Sequence, residues 1–282
     1  MLTWAEYLAH PAQNVSRLLH LARSPLHYRH VASGGEVVDT AALKEGRLAH
    51  VAILEPDRYA AEVAIWPCGP DGETKRRAGK EWEAWKAAHA GRIQVSEGQH
   101  EDFMAMSEAV RSHPAAGVYL ASPDAATEVS LIWKHEGSGV ECKSRFDFID
   151  VGANVVLDLK TTRDASEIEF GKASARYDYH TRAAFYSDAY RQKFGEYPTF
   201  ILVAVEKVPP YAVAVYRIPA EAIDAGRRRY EGLLARLLDC QKTDWWPGYC
   251  DDQERELALP AWAPGLDDEL ELDFGEEGSL RV

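Results

Sequence analysis

No stretch of this 282-residue chain approaches 18 consecutive apolar residues, the length at which a segment reads as a membrane-spanning helix. The opening run MLTWAEYLAH lacks a basic region followed by an apolar one, so neither a membrane span nor a secretory signal is expected. Cysteine is scarce. Cys68, Cys142, Cys240 and Cys250 show no CxxC spacing, which argues against zinc and iron–sulfur frameworks and leaves reduced thiols of a cytoplasmic protein as the expectation. Positive charge is in deficit, 32 Lys and Arg against 45 Asp and Glu, for a net charge of -13. That balance weighs against a polyanionic partner, although part of the surplus is gathered in the run Asp267 to Glu277. Internal repeats are absent too.

What is present is an ordinary globular mixture, 46% hydrophobic and 27% charged. Residues 1 to about 125 read mostly as helices, among them Asn14 to Ala22, Ala41 to Leu54 with Pro56 just beyond its end, Trp82 to Ala90 and Gly98 to Ser112. From Thr127 the pattern turns to strands: Thr127 to Lys134, Val140 to Ile149 and Val155 to Leu159. A long helix is expected over Ser166 to Phe194, then strands at Thr199 to Val205 and Tyr211 to Arg217, then a basic helix from Ala220 to Leu238. This order predicts an α/β (α+β) fold, a central mixed sheet flanked by helices. The simplest organisation is one domain over 1–262, with a helical part to about 125 and a core over about 126–250, and an acidic, disordered tail over 263–282.

The segment Val140 to Thr162 carries the chemistry. Two strand-like runs flank the turn Val151-Gly152-Ala153-Asn154, as in a hairpin. Side chains of a strand repeat every two residues, so Asp158 and Lys160 share a face, roughly 7 Å apart at the Cα. Carboxylates and an ammonium in so apolar a strand pair cost several kcal/mol (about 3 or more) unless paired or metal-bound. Asp147 precedes them across the hairpin, and cross-strand neighbours approach to about 5 Å, so Asp147 and Asp158 can share a cation. Glu128, in an apolar strand, could add a third carboxylate. Oxygen ligands with open positions suit Mg²⁺ or Mn²⁺. A salt-bridged strand pair, Asp158 or Asp147 with Lys160 or Arg145, answers to the same pattern. Two further acid-x-Lys triplets serve as decoys. Glu73-Thr74-Lys75 lies in a Gly/Pro-rich turn and reads as a solvated loop, and Glu141-Cys142-Lys143 reads as a groove wall.

Taken in order, these residues resemble the PD-(D/E)XK nuclease superfamily, in its RecB-type branch, and most of all the nuclease domain of RecE (exonuclease VIII) of phage recombination systems. The matching pieces are Gly46-x-x-x-His50, Glu128 in its strand, Arg145-Phe146-Asp147, Asp158-Leu159-Lys160-Thr161-Thr162, and the run from Tyr177-Asp178-Tyr179-His180 through Arg182 and Tyr186 to Asp188. Ser24-Pro25 and Trp245-Trp246-Pro247-Gly248-Tyr249 extend the likeness to roughly 14–250. Two positions depart from the pattern: Phe146 stands where a proline is usual, and Arg182 where the branch has glutamine.

The resemblance implies metal-dependent hydrolysis of DNA by a homo-oligomeric ring, a tetramer foremost. Linear double-stranded DNA would be digested 5′ to 3′ to expose single strands for an annealing protein. Asp147, Asp158 and the Leu159 carbonyl would hold Mg²⁺, with Mn²⁺ an alternative, and His50 and Glu128 would complete the shell. Lys160 would orient the attacking water, and Tyr177, His180, Arg182 and Tyr186 would line one helix facing DNA. Arg227 to Arg229 and Lys75 to Lys80 are candidate phosphate contacts. Rival readings are an endonuclease or single-strand nuclease of the same superfamily, or a non-catalytic DNA-binding module on this fold.

Overall fold

The computed structural model describes residues 2–36, 40–69, 75–260 and 263. Its helices are α1 (Trp4–Ala9), α2 (Val15–Leu18), α3 (Pro25–Ala32), α4 (Ala41–Leu54), α5 (Pro56–Glu62), α6 (Gly79–Ala88), α7 (Glu97–Ser112), α8 (Ala116–Leu120), α9 (Glu167–Arg176), α10 (Tyr179–Phe194) and α11 (Ala220–Thr243). The strands are β1 (Val63–Trp66), β2 (Ile93–Ser96), β3 (Ala125–Lys134), β4 (Glu141–Asp150), β5 (Val155–Thr162), β6 (Thr199–Glu206) and β7 (Val213–Arg217). Helix starts follow their caps. Thr40 accepts from the Leu43 amide at the head of α4, Ser24 does the same for α3 ahead of Pro25, and Ser96 forms a capping box with Gln99 on α7.

Strands β3 to β7 form one mixed sheet in sequence order. Neighbours run antiparallel except β5 and β6, which are parallel and need the crossover that α9 and α10 supply. The expected α/β (α+β) architecture is the observed one. The small parallel pair β1–β2, joined through α6, was not expected in a region read as helical. Runs of four residues, Val-Ala-Ile-Trp and Ile-Gln-Val-Ser, are too short for periodicity to separate strand from helix.

Each face of the sheet covers its own core. Val156, Phe200, Leu202 and Ala204 pack with Phe185 and Tyr190 of α10 and Tyr230 and Leu234 of α11. Leu157, Leu159, Ile201 and Val203 pack with Ile53 of α4 and Phe103, Met106 and Val110 of α7. The alternation slips by one residue at one level of the sheet. On β3, Ala126 and Val129 meet the same core, and on β4 so do Phe146 and Ile149. Glu128 and Asp147 sit at that slip, between the pairs Thr127–Phe148 and Val129–Phe146, and Glu128 takes a left-handed backbone (φ 55°). Such a conformation costs a non-glycine residue about 1–3 kcal/mol and is held only where its surroundings enforce it.

The compact body ends at Trp246, whose ring stacks on Tyr28 at 5.9 Å, ahead of the boundary expected near residue 262. A second unit starts at Pro247 and, where described, holds one 3-10 turn, Tyr249–Asp252. The acidic run at 267–277 and the decoy residues 71–74 lie outside the described residues. Among the described residues, no helix is long and apolar enough to cross a membrane. All four cysteines are free thiols.

Candidate active site

The antiparallel ladder between β4 and β5 is short, running from Asp150–Val155 to Phe148–Leu157. One step further along that register come Asp147 and Asp158, and there the ladder has ended. The Asp147 carboxylate fills the break by accepting the Leu159 amide at 2.9 Å. Asp158 and Lys160 project from β5 on the α10 side, as the period of two predicts. The Lys160 ammonium contacts Asp158 Oδ2 and donates to the Leu159 carbonyl at 3.2 Å. From the other side α4 brings His50, whose Nδ1 lies 3.5 Å from Asp147 Oδ2. Gly46, one turn earlier on α4, faces Thr161 of β5, and a Cβ there would meet its hydroxyl at an ordinary 3.5 Å.

This crowding shapes the electrostatics. Burial, with the Asp158 charge beside it, pushes the Asp147 carboxyl up to about 7. Burial and then the Lys160 ammonium hold His50 down at about 4, so the imidazole is neutral at physiological pH. Burial works against the Lys160 charge, but Asp158 and Asp147 outweigh it and raise the ammonium above its ordinary value. Glu128 is raised by burial and by Asp147. Two carboxylates therefore share one ammonium, which leaves the pair short of positive charge.

Other candidates fall elsewhere. Glu128 turns its carboxylate to Arg145, 2.5 Å away, and Arg145 is also fixed by Ser130 at 2.9 Å. Among the described residues, no set of three His, Cys, Asp or Glu side chains converges as a ready metal cage. The centre is two carboxylates, the Leu159 carbonyl and a neighbouring imidazole, with Glu128 held back by its arginine.

The single helix expected over 166–194 is broken between α9 and α10, because Asp178 is left-handed (φ 57°) and its carboxylate is tied to Arg229 of α11 at 2.5 Å. Tyr177 consequently stands at the break, 56% exposed, rather than on the helix with Arg182 and Tyr186. Tyr179, which the sequence reading did not single out, faces the site instead, its ring 5.3 Å from the Lys160 ammonium. His180 lies in the first turn of α10 with its carbonyl against Gly226 of α11, where a Cβ would approach to 2.2 Å. Tyr186 packs on Phe146 at 5.2 Å. Arg182 donates to Ser16 at 2.7 Å, and its charge acts on Asp147 and Lys160.

Four basic residues read as phosphate contacts or a groove wall are engaged with partners inside the chain. Arg227 is bound to Asp188 (2.8 Å) and Asp224 (2.6 Å), and Arg229 to Asp178, so α11 spends these charges internally. Lys143 is fully buried, its ammonium donating to the carbonyls of Tyr7 (2.6 Å) and His10 (2.7 Å). Lys75, from the other basic run, pairs with Glu81 at 2.8 Å.

Comparison with known proteins bears on the family and the fold. Residues 14–256 match the model of a family described as a PDDEXK-like domain of unknown function (DUF3799). No curated protein matches the sequence. A solved chain from Eubacterium rectale, called "Putative exonuclease", shares 14% identity with a TM-score of 0.65, covering 92% of this chain and 96% of its own. That likeness is one of fold. SSO0001 aligns over 81% of either chain at 15% identity, with a TM-score of 0.33 that is too low to bear on the fold.

Proposed function

Since the chain belongs to the PDDEXK-like domain family of the PD-(D/E)XK nuclease superfamily, we propose that it is a metal-dependent deoxyribonuclease acting on linear DNA. The observation that carries this reading is Asp147 and Asp158 with Lys160 at the point where β5 parts from β4. A carboxylate raised to about 7 by burial and a like charge gains from a cation. The donors fit a hard divalent ion: two carboxylates and the Leu159 carbonyl for Mg²⁺, with the neutral His50 imidazole making Mn²⁺ acceptable. The Lys160 ammonium already rests on two of those oxygens, Asp158 Oδ2 and Leu159 O. When bound, the ion supplies an acidified water and offsets charge on the phosphate.

The chain's own residues do the remainder. Asp147 and Asp158 hold the cation, and His50 flanks them. Lys160, cationic at neutral pH, stabilises charge developing on the scissile phosphate, an effect worth about 2.7–4 kcal/mol per well-placed donor in comparable sites. Arg182 donates through Nη1 to Ser16, which leaves further guanidinium donors for a neighbouring phosphate. Tyr179 and Tyr186 wall the α10 side.

The finer reading, an exonuclease resecting duplex ends 5′ to 3′ as a ring of four copies and feeding an annealing protein, draws on the RecE-like motifs. The name of the Eubacterium rectale neighbour, "Putative exonuclease", agrees with the word exonuclease alone. Linear duplex labelled at one end, beside closed circular duplex, tests it with and without Mg²⁺. Wild type should shorten only the linear DNA and only with metal, while Asp158→Ala and Lys160→Ala should leave it whole. Loss of closed circles would refute the exonuclease. Normal digestion by Asp158→Ala would refute the site. Sedimentation of the full chain reads the copy number, and a monomer would end the ring.

A further inference from the structure

The N-terminal helix is anchored with unusual firmness for six residues. Thr3 and Glu6 close a capping box at its head. The Lys143 ammonium takes its last carbonyls and lies 4.8 Å from the Tyr7 ring. Just beyond it, Gln13 bridges to β4, donating to the Glu141 carbonyl at 2.9 Å and accepting the Lys143 amide at 2.8 Å. This bridge occupies the flank of β4 that β5 leaves free. Burying an ammonium costs several kcal/mol (about 3 or more) unless its donors are satisfied, so α1 sits on a prepared mount beside the site.

What that mount presents is an aromatic surface. Tyr7 is buried and stacks on Trp4, with ring centres 5.7 Å apart and planes at 12°. Trp4 remains 47% exposed, and Leu8, one turn on, 55% exposed. The Arg145 guanidinium lies 5.0 Å from the Trp4 ring centre. Arg145 is in turn clamped by Glu128, which sits beside Asp147 on the neighbouring strand. A chain of contacts therefore runs from the indole through the guanidinium to the Glu128 carboxylate, across from Asp147 on the adjoining strand.

We propose that Trp4, held on Arg145 and Tyr7, is a stacking subsite for an unpaired nucleobase next to the scissile phosphate. The proposal rests on the nuclease reading and specifies the substrate it favours. The indole, held by Tyr7 and the Arg145 guanidinium, still leaves 47% of its surface to solvent, and that aromatic surface is what a base could stack on. The surroundings suit a polyanion over an apolar protein partner, because Arg17, Arg145 and Arg182 all lie close enough to act on the Tyr7 phenol. In a duplex interior both faces of each base are already covered, so only a frayed end or a single strand can use the platform. End preference would follow from the chain's own surface.

The test uses the full chain in EDTA, which withholds the metal that cutting would need, with 2-aminopurine at the terminal nucleotide or several nucleotides inward. Wild type should quench the terminal probe, Trp4→Ala should abolish that quenching and weaken binding about tenfold, and Trp4→Phe should keep most of both. An abasic terminal nucleotide should weaken wild type by the same factor and leave Trp4→Ala unaffected. If the abasic site and Trp4→Ala weaken binding independently, or if Trp4→Ala quenches and binds as wild type does, the subsite is refuted while digestion in Mg²⁺ still upholds the nuclease. A wild type that digests in Mg²⁺ but never quenches the terminal probe refutes the subsite alone, and one that neither binds in EDTA nor digests in Mg²⁺ sinks the nuclease reading and the subsite with it.

Discussion

Asp147→Asn should stabilise the metal-free protein at alkaline pH while destroying its activity. Burial and the Asp158 charge raise the Asp147 carboxyl from 3.8 to about 7. A folded-state value above the unfolded one means that folding is favoured by keeping the proton. The associated stability is complete below about pH 4 and is lost as pH rises through about 7. At full strength the difference is worth about 4 kcal/mol. The side chain keeps 19% of its surface in water, and screening brings the expectation to ~1–2 kcal/mol. Asparagine retains an oxygen for the Leu159 amide and has no proton to lose, so its advantage grows from near zero at about pH 4 and levels off above about pH 7. For a chain of this size that is roughly 2–8 °C in Tm. Urea unfolding in EDTA near pH 5 and near pH 8.5 measures it directly. Added Mg²⁺ should raise the wild-type midpoint and leave the variant's alone. If the variant gains nothing between the two pH values, the two carboxylates are not crowded in the fold, and the case for a cation between them loses its physical basis.

Three further outcomes follow from the same geometry. Lys160→Met strands the buried Asp158 carboxylate and should cost about 3–5 kcal/mol in urea unfolding, with cleavage down at least ~10²-fold. Adding Asp158→Asn should restore most of the stability and none of the cleavage. His50 is neutral above about 4, so its stabilising contribution is complete above about pH 6.5 and is lost as pH falls toward 4. His50→Gln should flatten the acid side of the stability profile, read from unfolding midpoints between pH 4 and 7. Asp188→Ala leaves Arg227 and Tyr230 without their shared acceptor, and should destabilise by about 3–5 kcal/mol with cleavage per folded molecule unchanged.

Period two on β5 was enough to put Asp158 and Lys160 on one face, and the helical pattern ending just before Pro56 gave α4 its bounds, Ala41–Leu54. Those signals are local, and local chemistry decides them. The break at Asp178 is not local: it depends on Arg229, 51 residues later, pulling a carboxylate that a helical pattern would leave in solvent. The same holds for Arg227 and Lys143, whose letters suggest surface charge and whose partners lie on other elements. Glu128 shows the limit most plainly. Its place in an apolar strand was readable, but the slip in alternation that turns it toward Arg145 involves both β3 and β4 at once.

The mount of α1 also bears on how the chain folds. Lys143 reaches carbonyls 136 and 133 residues before it in sequence, among the most distant closures in the body. The loop entropy of such a contact must be met before it returns any stability, and its acceptor strand has to exist first. The α1 segment is thus among the last parts of the body to be fixed. A folding intermediate with a finished sheet and a loose N-terminal arm would already hold Asp147, Asp158 and Lys160, but would lack one wall of the cleft.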